Sequence, residues 1–190
     1  LRGGPAGHRN LVATGAGKRL LNMLPLKYLA GYPEELRNQV REAIRHGRLA
    51  EMLHARYPAT HAVRSDEALY AYTLALKARF LRSAESPAKV VFDNHLQVTA
   101  NALGSNGHVP RIQGKRIKSK REIRVASVFK EVPPEFLRMV VVHELAHLRE
   151  REHDRAFYQL CEHMEPAYHQ FEFDLRLYLT QRELSSVSTA

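Results

Sequence analysis

Apolar residues recur at helical spacing in the first well-patterned part of the chain. Pro33 stands at a favourable first-turn position, and Leu36, Val40 and Ile44 follow four residues apart. Gly47 then interrupts the pattern, which is typical of a helix end. We expect a helix, a turn at Gly47, and a short second helix that stops before the next proline.

A second helical pattern begins at Ser65, which is followed by two acidic residues and resembles an N-cap. The pattern predicts an amphipathic helix over about 66–82 with one face in the core. The residues on this face are Leu69, Tyr72, Leu76 and Phe80.

Beyond Pro87 the pattern changes to short β-branched or alternating runs. Two such runs flank Asp93-Asn94, which favours a hairpin, and further runs span about 109–117 and 121–129. The candidate core residues of the last two runs are Ile112, Ile117, Ile123, Val125, Val128 and Phe129. We predict a small, mostly antiparallel sheet.

Helical patterns return in the last third of the chain. Pro133-Pro134 begins a helix that continues through "MVVVHELAHL" and breaks near Arg149. Asp154 resembles the N-cap of the next helix, Pro166 interrupts it, and "AYHQFEFDLRLYLTQREL" predicts a last helix. The order of elements indicates an α+β fold, with N-terminal helices, a small sheet and C-terminal helices.

Size and composition favour one globular domain. With 44% hydrophobic and 26% charged residues among 190, the chain can bury a substantial core. Residues 1–24 are rich in Gly, Ala and basic residues, so we expect a flexible arm, a single domain over 25–184 and a tail over 185–190.

The apolar runs are too short to span a membrane. A lone Cys161 and the lack of a secretory pattern at the start favour the cytoplasm.

The net charge of +9 is concentrated in one stretch, "RIQGKRIKSKREIR". Its basic residues, which we call the basic strip, are Arg111, Lys115, Arg116, Lys118, Lys120, Arg121 and Arg124. Such a strip is a candidate site for substrate phosphates, or equally a solvated, positively charged sheet face.

The candidate chemistry lies in the H-E-x-x-H pattern of the helix beyond Pro134. His143 and His147 project from one helix face, about one turn apart, so both imidazoles can reach one zinc ion. Glu144 lies about 100° around the helix, where it can take a proton from water whose pKa zinc lowers from roughly 15.7 to about 7. The alternative is a hydrogen-bonded pair of core histidines.

A third metal ligand must come from outside this helix, and His153 is the leading candidate. A continuous helix would carry His153 roughly 9 Å beyond His147, so the chain has to turn. The charged "REREH" and the Asp154 cap supply such a break. The alternative ligands are the later glutamates Glu162, Glu165 and Glu172.

The sequence resembles the bacterial subgroup of the YgjP-like metallopeptidases, which are small zincin-type proteins. The resemblance covers about 26–182 and is carried by "FLRMVVVHELAHLREREHDRAFYQLCEHMEPAYHQFEFDLRLYLTQ" and, upstream, by "LKYLAGYPEEL", "ALYAYTLALKARFLR" and "EIRVASVFKEVPPEFLRM". It implies a zincin-like fold, zinc held by His143, His147 and His153, and Glu144 as the catalytic carboxylate.

The resemblance leaves two substrates open. The family name implies a peptidase, and hydrolysis of UTP to UMP and pyrophosphate is also assigned within the bacterial subgroup. Mg²⁺ or Mn²⁺ would suit a nucleotide substrate, whereas a histidine site favours zinc. A third hypothesis, from a different class, is a non-catalytic nucleic-acid-binding module with structural zinc, in which the basic strip tracks phosphates.

Overall fold

The computed structural model describes residues 26–96 and 122–187, and within them the fold is α+β, as predicted. The helices are α1 (Glu34–Arg45), α2 (Arg48–Arg56), α3 (Asp66–Phe80), α4 (Pro134–Ala146), α5 (Arg155–Met164) and α6 (Tyr168–Val187). The strands are β1 (Lys89–Asp93) and β2 (Glu122–Ala126), and 3₁₀ turns occupy Lys27–Leu29 and Ser127–Glu131. The predicted arm over 1–24, the run over 109–117 with Ile112 and Ile117, and six residues of the basic strip lie outside the described residues.

The helix boundaries follow the capping signals in the sequence. Gly47 adopts φ +71° between α1 and α2, in the left-handed region that favours glycine. The Ser65 hydroxyl accepts a hydrogen bond from the Ala68 amide at 3.1 Å and caps α3. The predicted turn at Gly47 and the predicted helix from Asp66 are therefore confirmed.

The two described strands are parallel, so the prediction of an antiparallel sheet was wrong. Val90 pairs with Ile123 and Phe92 with Val125 in the same direction. The 28 residues 94–121 separate the two strands, which is enough for the crossover that a parallel pair requires. β1 packs against α3, so the sheet covers one side of the helical core.

Helix α4 runs through the middle of the core and contacts α3, α5, α6 and β2. Its buried residues are Phe136, Leu137, Met139, Val141, Val142, Leu145 and Ala146. Because apolar side chains surround most of α4, the polar residues near its C-terminal end are held in a rigid, partly buried setting.

A buried carboxylate joins α6 to the end of α2. Asp174, only 1% exposed, accepts hydrogen bonds from the Tyr57 hydroxyl at 2.6 Å, from Arg56 Nη1 at 2.9 Å and from Gln170 Nε2 at 3.0 Å. Burial and the bond to Asp174 raise the pKa of Tyr57, which therefore stays a neutral donor.

We expect Asp174→Ala to lower the free energy of unfolding by about 1–3 kcal/mol, because it leaves the buried Tyr57 hydroxyl without its acceptor. Urea denaturation measures the change. Glu183→Ala is the control, since it removes an exposed ion pair with Lys27 that contributes less than about 1 kcal/mol. Equal effects of the two substitutions would contradict the stabilising role of Asp174.

Within the described part of the chain, no helix combines the length and the apolar character needed to cross a bilayer.

Candidate metal centre

The H-E-x-x-H helix ends within the motif itself. Ala146 is the last residue of α4, and His147 occupies the C-cap position. The Ala146 carbonyl accepts hydrogen bonds from the amides of Arg149 at 3.0 Å and Glu150 at 2.9 Å, which closes the last turn. The chain therefore leaves the helix axis at His147, as the charged segment after it predicted.

The next helix begins where its cap was predicted. The Asp154 carboxylate accepts a hydrogen bond from the Phe157 amide at 3.0 Å and caps α5. His153 directly precedes this cap, outside both helices, so the turn brings its ring back towards α4.

Three imidazoles converge at this corner. Nε2 of His153 lies 3.0 Å from Nε2 of His143 and 3.2 Å from Nε2 of His147, and the three ligand atoms all lie within 4.8 Å of one another. Zinc–nitrogen bonds of about 2.0–2.1 Å in a tetrahedron place neighbouring nitrogens about 3.3–3.4 Å apart. The donor type and the spacing therefore fit a zinc ion.

An aromatic side chain supports all three rings. Phe157 is fully buried, and its ring centroid lies 4.9 Å from that of His143 and 4.6 Å from those of His147 and His153. Burial, with the neighbouring histidine charges, lowers the pKa of His143 to about 3, and burial also lowers the pKa of His153. These imidazoles stay neutral at neutral pH, which keeps a lone pair available for a metal.

Two ring orientations are set by hydrogen bonds at Nδ1. His147 Nδ1 donates to the Glu150 carbonyl at 3.0 Å, so its Nε2 carries the lone pair. His143 Nδ1 lies 2.7 Å from the Tyr168 hydroxyl at the start of α6. Metal-binding histidines commonly have such partners. The sequence analysis missed Tyr168, because the contact spans 25 residues and no local pattern marks it.

Glu144 follows His143 on α4 and is partly buried. Burial raises its pKa to about 7, because the apolar surroundings disfavour the charged form. A carboxyl group with this pKa exchanges protons readily near neutral pH, which suits a general base.

Comparison with known proteins places this site in a family. A family model described as "YgjP-like, metallopeptidase domain" matches residues 75–178, which include the three histidines and Glu144. The chain belongs to the YgjP-like family. A relative from Escherichia coli (strain K12) named "UTP pyrophosphatase" is 57% identical over 162 residues, which cover 85% of this chain and 97% of the relative. No solved structure matches the chain.

Family membership confirms the resemblance seen in the sequence and makes this YgjP-like protein a hydrolase. The three clustered histidines are spaced so that they could hold a metal ion. A purely structural role for the metal, in a nucleic-acid-binding module, has no support from this relationship.

The alternative third ligands of this YgjP-like chain have other partners. Glu165 forms an ion pair with Arg138, which also donates to the Met164 carbonyl at 2.9 Å. Glu162 lies 2.9 Å from His169, and Glu172 lies 2.9 Å from Arg176. Within the described residues, the group of side chains close enough to hold one metal ion contains His153 and none of these glutamates.

Arg124 is the one member of the basic strip within the described residues. It lies on β2, where Nη1 contacts Asp93 at 2.9 Å and Nη2 contacts Glu122 at 3.0 Å. Its hydrogen bonds to the two carboxylates raise the pKa of Arg124, which remains a cation. These ion pairs occupy the Arg124 guanidinium, so it is a poorer phosphate ligand than its sequence position predicts.

Proposed function

We propose that this YgjP-like protein is a zinc-dependent hydrolase that cleaves UTP to UMP and pyrophosphate. The observation that carries the proposal is the 57% identity to a UTP pyrophosphatase over 97% of that relative's length. The convergence of three imidazoles beside Glu144 supports a hydrolytic metal centre.

His143, His147 and His153 are the proposed zinc ligands, each through Nε2. When bound, zinc supplies a Lewis acid that polarises a phosphoryl oxygen and lowers the pKa of water at the site. Three protein ligands would leave a fourth position for water or substrate, as in catalytic zinc sites. Structural sites instead carry four protein ligands, commonly with thiolates.

Glu144 is the proposed general base. Its carboxylate takes a proton from the water that attacks the α-phosphorus, and the bond from that phosphorus to the bridging oxygen breaks. The protonated Glu144 then passes its proton to the departing pyrophosphate. The raised pKa of Glu144 favours both transfers near neutral pH.

The basic strip is the proposed binding site for the triphosphate. Six of its seven cations precede β2 in the sequence, and β2 packs against the helix that carries His143 and Glu144. Lysine and arginine side chains neutralise phosphate charge through charge-assisted hydrogen bonds. Mg²⁺ or Mn²⁺ would accompany the nucleotide through oxygen ligands, while the nitrogen ligands retain zinc.

A combined Lys115→Gln, Lys118→Gln and Lys120→Gln variant tests the proposed substrate class. We expect its KM for UTP to rise at least about tenfold, equivalent to about 1.4 kcal/mol of lost binding, with bound zinc unchanged. Steady-state kinetics with UTP measures the change.

The control removes three exposed cations elsewhere, by Lys27→Gln, Arg64→Gln and Arg182→Gln. Both variants lose the same net charge, so a general electrostatic effect changes both KM values equally. An unchanged KM in the Lys115, Lys118 and Lys120 variant would contradict the role of the strip.

Peptide hydrolysis is the second candidate function. The family model is described as a metallopeptidase domain, and an H-E-x-x-H helix is the typical site of zinc peptidases. The same three histidines and Glu144 would serve, with attack on a carbonyl carbon. If the parent cleaves peptides, and the KM for the peptide is unchanged in the Lys115, Lys118 and Lys120 variant, this function would be favoured over UTP hydrolysis.

A further inference from the structure

We propose that Tyr168 and Cys161 act as positioning residues that hold the proton of His143 on Nδ1 and so direct its Nε2 lone pair to the metal. The inference rests on the metal site of the proposed function and is independent of the substrate.

The three side chains form a buried chain of polar atoms across three helices. The Tyr168 hydroxyl on α6 lies 2.7 Å from His143 Nδ1 on α4. The side chain of Cys161 on α5 interacts with the same hydroxyl, and this interaction contributes to the pKa shifts of both groups. Tyr168 is 1% exposed and Cys161 is fully buried, so bulk water does not compete for these contacts.

The position of each proton follows from what each atom can accept. A neutral imidazole carries one N–H, and a metal takes the lone pair of the other nitrogen. His143 Nδ1 must therefore donate, and Tyr168 Oη is the atom that accepts. The tyrosine proton then points away from His143, and the acceptor we infer for it is the Cys161 sulfur.

Both supporting groups stay neutral. Burial raises the pKa of the Cys161 thiol to about 12 and also raises the pKa of Tyr168. A neutral hydroxyl can donate and accept at the same time, so Tyr168 can link the imidazole to the sulfur.

His147 shows why side chains matter at His143. The Nδ1 of His147 donates to the Glu150 backbone carbonyl, which no substitution removes. The Nδ1 of His143 instead donates to a side chain, whose own proton needs a second side chain. The tautomer of His143 therefore depends on Tyr168 and Cys161.

The placement of Tyr168 depends on the corner between α5 and α6. The Tyr168 amide donates to the Glu165 carbonyl at 2.9 Å, and the Glu165 carboxylate pairs with Arg138 of α4. The ion pair thus anchors the corner to the helix that carries His143. Glu165, an alternative ligand in the sequence, contributes to the site by this structural route.

Zinc affinity, measured by competition with a chromophoric chelator, tests the proposal. We expect Tyr168→Phe to weaken zinc binding about 10- to 100-fold, the usual cost of losing a residue that orients a ligand. Tyr178→Phe is the control, because it removes a hydroxyl from the same helix whose hydrogen bond to the Glu131 carbonyl is long, at 3.4 Å. We expect its zinc affinity to match that of the parent.

Substitutions at Cys161 test the second link without touching Tyr168. Cys161→Ala removes the acceptor of the tyrosine proton and should weaken zinc binding, whereas Cys161→Ser restores an acceptor and should recover most of the affinity. Tyr168→Phe combined with Cys161→Ala should bind zinc no more weakly than Tyr168→Phe alone, because both residues act through one proton.

The tautomer of His143 provides a readout that a general loss of packing does not mimic. Nitrogen-15 NMR of the metal-free parent should show the proton on Nδ1, and Tyr168→Phe should shift part of the population to Nε2. A parent with the proton on Nε2, or parental zinc affinity in both Tyr168→Phe and Cys161→Ala, would overturn the proposal. A parent that binds no zinc would instead overturn the proposed function.

Discussion

Replacing Glu144 with glutamine should lower kcat for the proposed UTP hydrolysis by about 10²- to 10⁴-fold, the usual contribution of a general base. Glutamine keeps the size and shape of the side chain but cannot accept a proton from water. The three histidines are unchanged, so zinc should remain bound at the parental stoichiometry. Single-turnover kinetics on metal-loaded protein, with metal analysis of the same sample, measures both quantities.

Glu135→Gln is the matched control for this substitution. Glu135 lies in the first turn of the same helix, far from His143, so its variant loses a carboxylate without touching the site. We expect parental activity. Full activity in Glu144→Gln would show that another group, or none, takes the proton.

Replacing His153 with alanine should weaken zinc binding by more than the 10- to 100-fold typical of losing a supporting residue, because a direct ligand is removed. His143 and His147 would remain as a two-ligand site. Equilibrium competition with a chelator gives the affinity, and UTP turnover at a fixed low zinc concentration should fall in parallel.

Two controls separate ligation from structural damage. His163→Ala removes an exposed histidine of α5 that contacts Phe80, and it should retain parental zinc affinity. Glu165→Gln weakens the pair with Arg138, so it should lower stability and weaken zinc binding only indirectly, by far less than His153→Ala does. Loss of zinc in Glu165→Gln, with parental affinity in His153→Ala, would show that the third ligand was assigned wrongly.

The local sequence was sufficient to predict that the three histidines come together in space. The apolar run of α4 indicated a buried helix, and the Asp154 cap indicated where the next helix begins. His153 lies between the end of α4 and the Asp154 cap, where the chain changes direction. Its return towards His143 could therefore be expected. These signals act over a few residues, which is the range that sequence patterns report.

The direction of strand pairing could not be predicted in the same way. Asp93-Asn94 resembled a hairpin turn, and the Asp93 carboxylate does accept a local hydrogen bond from the His95 amide at 2.8 Å. A turn of this kind does not determine which strand pairs with β1. The observed partner, β2, is separated from β1 by 28 residues, so the pairing depends on tertiary contacts.

The contacts that orient the proposed metal ligands could not be predicted from the sequence either. Tyr168 meets His143 only because Pro166 and the Arg138–Glu165 pair place the α5–α6 corner against α4. The helical pattern indicated only that Cys161 is a core residue. Periodicity reports burial, and it does not show that Cys161 interacts with Tyr168 on another helix. Such contacts join residues on different helices, and no short sequence pattern marks them.

We propose above that a zinc ion held by His143, His147 and His153 supports hydrolysis of UTP between the α- and β-phosphates. Phosphorus-31 NMR tests it by following UTP incubated with the parent protein after chelation and again after zinc is restored. We predict UMP and pyrophosphate in equal amounts, formed only once zinc is present. Release of UDP and phosphate, equal turnover without metal, or intact UTP beside a cleaved peptide library would contradict the claim.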